Sequence, residues 1–500
     1  MFTFFESLVS FLEDSKRPFH FHLLVFFLAI FLRNFLEFFS TGAFPTFGSF
    51  VHYSLSYVCI ALAFSLVFWL AVKVPLSKVM RVILPSFLVL VLAPLLDIFF
   101  TIGRGNAISY FMPGVHDNLL ERFLCFFGPF SGAGATPGMR VEIALVLAAC
   151  FAYFYLKKRS FLRSFFYSFA LYCVLFAYGS VIFFVKAFEE FFGFSFFVSD
   201  FVMSSLYLCL VFLLSFPLFF VWNRDYFFAL ARDTRPFRIA HYLLMFFLGL
   251  AFALNHFPLA VEHFFALPLV LISIFFACLF VLSSNNVVDL EIDRVSNKAR
   301  PFAAGKIPLS HYSFFSLGSL SLSLVYSFFA GPLPFFAVQL FVLGYSAYSL
   351  PPLRLKRIPF LAKLILSLNS LAFVLLGASF LHPTLAFFPF WLYPIFIFGF
   401  SLSMNFIDIK DFEGDRKAGI KTLPVLFGKR KAKMLIGICF FLTYASFSLL
   451  LGTGFLPALL ALGLAQFFLL NKPDYDERSV FALYLASVLG FTALVFLGFA

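Results

Sequence analysis

Charge is scarce in this chain. Asp, Glu, Lys and Arg together supply 12% of its 500 residues, against 62% hydrophobic residues, and the mean hydropathy is +1.00. No soluble domain carries that balance, so a polytopic membrane protein is expected. Cysteine and histidine motifs for zinc or redox chemistry are missing too. Cys59, Cys125, Cys150, Cys173, Cys209, Cys278 and Cys439 are scattered, with no C-x-x-C pair, and read as buried small hydrophobes. The nine histidines hold no pair four residues apart, and His20 and His22 point to different helix faces, so zinc chemistry is not expected. The net charge is +12, but no concentrated basic patch suits nucleic acid. Glu6, Glu13 and Asp14 precede the first apolar run without a basic n-region, so no cleavable signal peptide is expected.

What is abundant is Phe, 87 residues, and long apolar runs. Segments of about 18–25 apolar residues are long enough to span a bilayer as helices. They fall near 19–39, 49–72, 80–101, 139–156, 164–187 and 201–222, then near 239–255, 263–285, 311–331, 334–350, 359–381, 387–407, 433–452, 456–471 and 479–499. The expected fold is an all-α transmembrane helical bundle, with about nine helices in a core preceded by about six more. Basic residues cluster in alternate connections, from Lys16/Arg17 and Lys73/Lys78/Arg81 through Arg224/Arg232/Arg235/Arg238 to Lys472/Arg478. By the positive-inside rule, the N-terminus is expected in the cytoplasm and the C-terminus outside. The connection Trp222–Arg238 reads as a boundary between a domain over 1–230 and one over 231–500. Within the first, Asp97 near the end of an apolar run is a functional candidate, with snorkelling as the alternative. The longest polar connection, 102–138, holds Arg104, Asp117, Glu121, Arg122 and the Gly/Pro-rich 128–138, and reads as a flexible loop.

Two polar stretches stand out from this apolar background. In NNVVDLEIDRVSNKARPFAAGK, residues 285–306, Asn285, Asp289 and Asp293 are spaced i, i+4, i+8, which keeps all three within roughly 80° of helix arc. In DIKDFEGDRKAGIKTLP, Asp408, Asp411 and Asp415 follow at i, i+3, i+7, again on one face. Carboxylates so placed repel one another, and desolvation beside a bilayer makes this worse. A divalent cation among the oxygens relieves the repulsion, and Mg²⁺ with phosphate completing its shell suits hard oxygen ligands. Both clusters close a long apolar run and are trailed by basic residues, and both are expected on the cytoplasmic side.

These stretches carry a resemblance. Asn285-Asn286-x-x-Asp289-x-x-x-Asp293, Arg300-Pro301, Asp408-x-x-Asp411-x-Glu413-Gly414-Asp415-Arg416 and Thr422-Leu423-Pro424 look like the motifs of the UbiA superfamily of intramembrane prenyltransferases. Tyr345 to Arg357, YSAYSLPPLRLKR, is similar to that family's loop between its fourth and fifth helices. The resemblance covers about 236–500. Where the family usually has Asp after the first Asn, this chain has Asn286, whose amide oxygen coordinates a metal without bringing charge.

The resemblance implies transfer of an isoprenoid group from a polyprenyl diphosphate to a lipophilic acceptor in lipid or quinone biosynthesis. Mg²⁺ would be held by Asp289, Asp293, Asp411 and Asp415, with Asn285, Asp408 and Asn286 completing the shells. Arg300, Arg354, Lys356 and Lys421 suit phosphate oxygens, while Tyr345 and Tyr348 offer aromatic faces to a carbocation. The E-G-D-R…G-I-K-T-L-P form of the second motif is closer to the branch containing digeranylgeranylglyceryl phosphate, chlorophyll and homogentisate-type synthases, which favours geranylgeranyl. Two alternatives stay open: a transporter or channel using the acidic clusters as ion sites, and an inactive scaffold. A protein partner for residues 1–230 is also left open.

Overall fold

The computed structural model of the chain describes residues 2–14, 16–41, 46–103, 105–106, 119–127, 135–193, 199–358, 360–417 and 419–499. Arg104, Asp117 and residues 128–134, singled out above, lie outside them. Among the described residues every regular element is helical, and thirteen helices are long and apolar enough to cross a membrane. The chain is therefore an integral, multi-pass membrane protein. The other two expected spans coincide with helix Pro332–Ser349 and the shorter apolar segment Leu392–Asp408. The chain divides into two compact units, Met1–Arg224 and Asp225–Ala500.

In the first unit the acidic residues near the N-terminus have structural partners. Glu13 accepts from Tyr153 at 2.8 Å and from Lys157 at 2.7 Å, and Asp14 accepts from Lys78 at 2.7 Å. These contacts tie helix Phe2–Glu13 to the spans Leu76–Phe100 and Pro137–Lys158. Asp97 is fully buried, and its carboxylate caps the start of helix Pro137–Lys158. It accepts from the Gly138 amide at 2.8 Å and the Thr136 hydroxyl at 2.5 Å, where helix-end amides favour a negative group. Snorkelling is excluded by that burial. A side chain at position 138 would meet the Ala93 carbonyl oxygen at 2.2 Å, so the helix approaches this closely because Gly138 has none. The cysteines are all free, and Cys59, Cys150 and Cys278 are buried as expected, whereas Cys125 is exposed beyond the end of helix Leu119–Leu124.

The second unit carries nine long helical segments among its described residues. They are α1 (Pro236–Leu254), α2 (Val261–Val288), α3 (Leu309–Ala330), α4 (Pro332–Ser349), α5 (Leu361–Ala378), α6 (Leu392–Asp408), α7 (Lys429–Leu451), α8 (Thr453–Asn471) and α9 (Glu477–Phe496). Close packing of α1 on α5 rests on two glycines. A Cβ on Gly249 would lie 1.8 Å from the Val374 carbonyl oxygen, and one on Gly377 2.0 Å from that of Phe246. Small residues at such contacts let membrane helices approach through backbone packing. His241 of α1 adds a buried polar tie, 2.9 Å from Ser370 of α5 and 2.9 Å from Tyr484 of α9. Segment α6 is irregular, with a π-helical stretch Ile395–Phe400 and a 3₁₀ turn Met404–Asp408. Departures of this kind are frequent at functional sites.

Candidate active site

The polar ends of α1, α2, α4, α5 and α6 converge on one cavity of about 110 Å³. Its lining includes Asn285, Asp289 and Asp293 from the first acidic stretch and Asp408, Asp411 and Asp415 from the second. Helix α2 ends at Asp289, and a short helix, Leu290–Ser296, follows. The i−4 hydrogen bonds persist across the break, from Asp289 N to Asn285 O at 2.9 Å and from Asp293 N to Asp289 O at 2.8 Å. The three side chains therefore keep a common face. The second cluster is less regular, passing from the 3₁₀ turn into helix Phe412–Lys417, yet its three aspartates reach the same space.

Cations hold the first cluster. Asp289 accepts from Arg354 at 2.8 Å and from Lys356, which also reaches Asn285 at 3.3 Å. Asp293 accepts from Arg300 at 2.6 Å and Asn297 at 2.9 Å. Ser349 donates to Asn285. Burial pulls the Lys356 ammonium below the ordinary lysine value, and Asp289 opposes that shift. Charge-assisted pairs of this kind exchange readily for another anion of the same geometry, phosphate above all.

The second cluster has fewer partners. Asp408 Oδ1 accepts from Lys363 at 2.7 Å, but its Oδ2 is buried with no hydrogen-bond partner. Among the described residues neither Asp411 nor Asp415 forms an ion pair. Burial, and then the neighbouring Asp408 and Asp411 carboxylates, raise Asp415 to about 7. No three acidic or histidine side chains among the described residues close tightly enough to enclose an ion. The donor chemistry nonetheless fits a hard divalent cation: an orphaned buried oxygen, two carboxyl groups without an ion pair and a proton retained near neutrality by burial and neighbouring carboxylates.

Of the phosphate-gripping candidates, Arg300, Lys356 and Lys421 line the cavity. Arg354 does not, and acts on Asp289 from outside it. Tyr345 and Tyr348 both line it, with ring centroids 5.3 Å apart in an edge-on arrangement. Asn286 does not reach the cavity. It is 2% exposed, its Oδ1 accepts from Arg235 at 2.8 Å and its Nδ2 donates to Tyr312 at 2.8 Å. Tyr312 in turn donates to Asp233 at 2.6 Å. The residue next to a ligand position on a helix points about 100° away from it, and here that direction leads into a buried network.

Several lining residues were not singled out from the sequence. Arg235 and Arg238 read there as topology markers, yet both line the cavity at the start of α1. Arg235 sits at φ 49°, a left-handed conformation uncommon outside glycine and held by its surroundings. Burial, with Arg238 and Arg300 nearby, lowers its guanidinium to about 10. Lys363 and Asn405 also line the cavity. A lone lysine inside an apolar run is a readable signal of function in a membrane helix.

Residues 242–497, just over half of the chain, match the model of the UbiA prenyltransferase family. The chain is 29% identical over 245 residues to the digeranylgeranylglyceryl phosphate synthase of Sulfolobus acidocaldarius, covering 46% of this chain and 83% of that protein. With the Pyrococcus abyssi synthase of the same name it is 32% identical over 207 residues, 40% of this chain and 67% of that protein. A solved UbiA homolog from Archaeoglobus fulgidus bound to GPP and Mg²⁺ aligns with a TM-score of 0.44 at 23% identity, over 54% of this chain and 99% of that one. The chain is an intramembrane prenyltransferase and belongs to the UbiA prenyltransferase family.

Proposed function

We propose that the chain moves an isoprenoid group from a polyprenyl diphosphate to a lipophilic acceptor within the membrane, in an Mg²⁺-dependent reaction that releases diphosphate. One observation carries the reading: five aspartates and six basic residues (Arg235, Arg238, Arg300, Lys356, Lys363 and Lys421) surround a single cavity. A diphosphate with a divalent cation is a ligand that uses both sets. The basic residues bind phosphate oxygens, and Arg300 and Lys356 do so by exchanging their carboxylate partners for the substrate. When bound among the aspartates, Mg²⁺ neutralises the charge that develops on the leaving group.

The allylic C–O bond breaks with its electron pair leaving on the diphosphate. The faces of Tyr345 and Tyr348 then stabilise the allylic cation. The acceptor supplies the electron pair for the new bond and loses a proton to the released diphosphate. Water must be kept out until then. An apolar cavity of about 530 Å³, lined by Phe396, Phe400, Phe440, Tyr444, Phe447 and Phe491 among others, suits the prenyl tail. Segment α6 borders both spaces, with Phe396 and Phe400 on the apolar one and Asn405 and Asp408 on the polar one.

The digeranylgeranylglyceryl phosphate synthases among the relatives support geranylgeranyl as the group moved and a glycerol-phosphate lipid as the acceptor. The alternating basic connections support a cytoplasmic N-terminus and a cytoplasmic active site. An ion path is disfavoured, because the aspartates face six cations in one enclosure instead of lining a route across the bilayer. The experiment is a liposome assay of the full chain with labelled geranylgeranyl diphosphate and a panel of acceptors: geranylgeranylglyceryl phosphate, a chlorophyllide and homogentisate. The first should be prenylated fastest; prenylation of none of them in the presence of Mg²⁺ would count against the reading.

A further inference from the structure

The first unit, Met1–Arg224, carries a further cavity whose lining shares no residue with the aspartate cavity or the apolar one assigned to the prenyl tail. Its volume is about 300 Å³, at the lower end of ligand pockets, which run from roughly 300 to 1,000 Å³. Its walls are apolar, with Phe64 and Phe68 among them, and two charged side chains line it: Arg33 and Glu142. Both are buried, at 1% and 8% exposure.

Arg33 is hydrogen-bonded to Tyr57, and its NH1 stands 3.6 Å from Glu37. Yet Nε and NH1 of Arg33 have no hydrogen-bond partner. Glu142 accepts from the Ala93 amide at 3.2 Å through one oxygen only. A buried guanidinium with two nitrogens outside any hydrogen bond and a half-used acceptor on the wall of an apolar cavity are costly unless a ligand completes them.

We infer that this cavity is a binding site for an uncharged amphiphile, a hydrocarbon chain ending in an alcohol or phenol. A hydroxyl group both accepts and donates, so its chemistry suits a wall that carries Arg33 and Glu142 together. A plain hydrocarbon would satisfy neither. An anionic head would accept from Arg33 but crowd the acidic side chains of Glu142 and Glu37. The site is independent of the transferase reading, because none of its residues belongs to the aspartate cavity.

The test uses the full-length chain in detergent with a radiolabelled, diazirine-bearing farnesol as probe. Adducts are mapped by peptide, and farnesol, farnesene and farnesyl phosphate, which differ only at the head, serve as competitors. The expected result is labelling of peptides carrying Phe64, Phe68 or Ala149, reduced at least tenfold by Arg33→Leu. Farnesene and farnesyl phosphate should need at least tenfold higher concentration than farnesol to compete. Label confined to Asp225–Ala500, unchanged labelling of a monodisperse Arg33→Leu protein, or farnesyl phosphate competing as well as farnesol would each overturn the assignment. Should Arg33→Leu not fold, Ala149→Leu fills the space and leaves the charges in place; it must lower labelling to the same degree, and unchanged labelling overturns the site.

Discussion

Arg235 donates a 2.8 Å hydrogen bond to the amide oxygen of Asn286, so the asparagine beside the first acidic motif holds a cavity-lining arginine in place. Its other amide atom holds Tyr312, which holds Asp233. An aspartate at position 286 would accept from Arg235 more strongly but could not donate to Tyr312.

The first prediction follows from that relationship. Asn286→Asp should leave the Mg²⁺ concentration for half-maximal activity within about twofold of wild type. It should raise KM for the diphosphate about fivefold, because Arg235 is drawn from the cavity. Asn286→Ala should cost about 1–3 kcal/mol of stability through the unmet Arg235 and Tyr312 groups. Steady-state kinetics with Mg²⁺ titration checks the first pair, and a sharp drop in Mg²⁺ requirement for Asn286→Asp would show that this side chain reaches the metal.

Asp289→Ala and Asp411→Ala should each lower transfer by about 10²-fold or more, the scale of losing one charge-stabilising group. Their stabilities should differ. Asp289→Ala strands Lys356 and Arg354 and should lower the Tm, whereas Asp411 has no ion-pair partner to strand and should not. Parallel turnover and thermal-melt measurements in detergent decide this. Full activity in either variant refutes the aspartate site.

Asp415 should make cation binding pH-dependent. Its pKa is raised to about 7 in the metal-free protein, so near pH 6 it holds a proton that a bound cation must displace. Apparent Mg²⁺ affinity should therefore fall as pH drops below 7, with proton release on binding. The stability effect has the opposite sign. A raised carboxyl pKa destabilises the fold above the unfolded value, so Asp415→Asn should raise the metal-free Tm at pH 8, and that advantage should shrink as pH falls below 7 and vanish near 3.8. Tm curves across pH that run parallel for the two proteins would contradict the assignment.

Much of this site was legible because acidic residues in so apolar a chain have few roles open to them. The offsets of Asp408, Asp411 and Asp415 were read as one regular helix; the chain is tighter there, where a three-residue offset keeps one side in either winding, and the separate helix Phe412–Lys417 brings Asp415 to the same cavity. Asn286 was not legible, because its partners lie 26 and 51 residues away and no local pattern announces them. Asp97 was a functional candidate as a carboxylate near the end of an apolar run, yet it serves a helix start 41 residues on. Arg235 and Arg238 were hidden by a second explanation, membrane topology, that accounts for any arginine in a connection.

The fourth prediction concerns separability. A protein starting at Asp225 should insert, remain monodisperse and transfer prenyl groups at a rate within about tenfold of the full chain, since every aspartate and basic group lining the site lies beyond that residue. Among the described residues an even number of candidate spans precedes it, so removing them preserves orientation. Comparison of turnover for the two proteins with one diphosphate and one acceptor checks this. An inserted but inactive short protein would show that the first unit completes the site.

The central claim is that both acidic clusters hold one diphosphate together with Mg²⁺. Its most direct test is equilibrium binding of an inert thio-analogue of geranylgeranyl diphosphate to the full chain, with and without Mg²⁺, in wild type, Asp289→Asn and Asp411→Asn. The account predicts tight binding only in wild type with Mg²⁺, weakened about 100-fold by removing the metal or neutralising either cluster. Binding that ignores Mg²⁺, or that depends on one cluster and not the other, would contradict it.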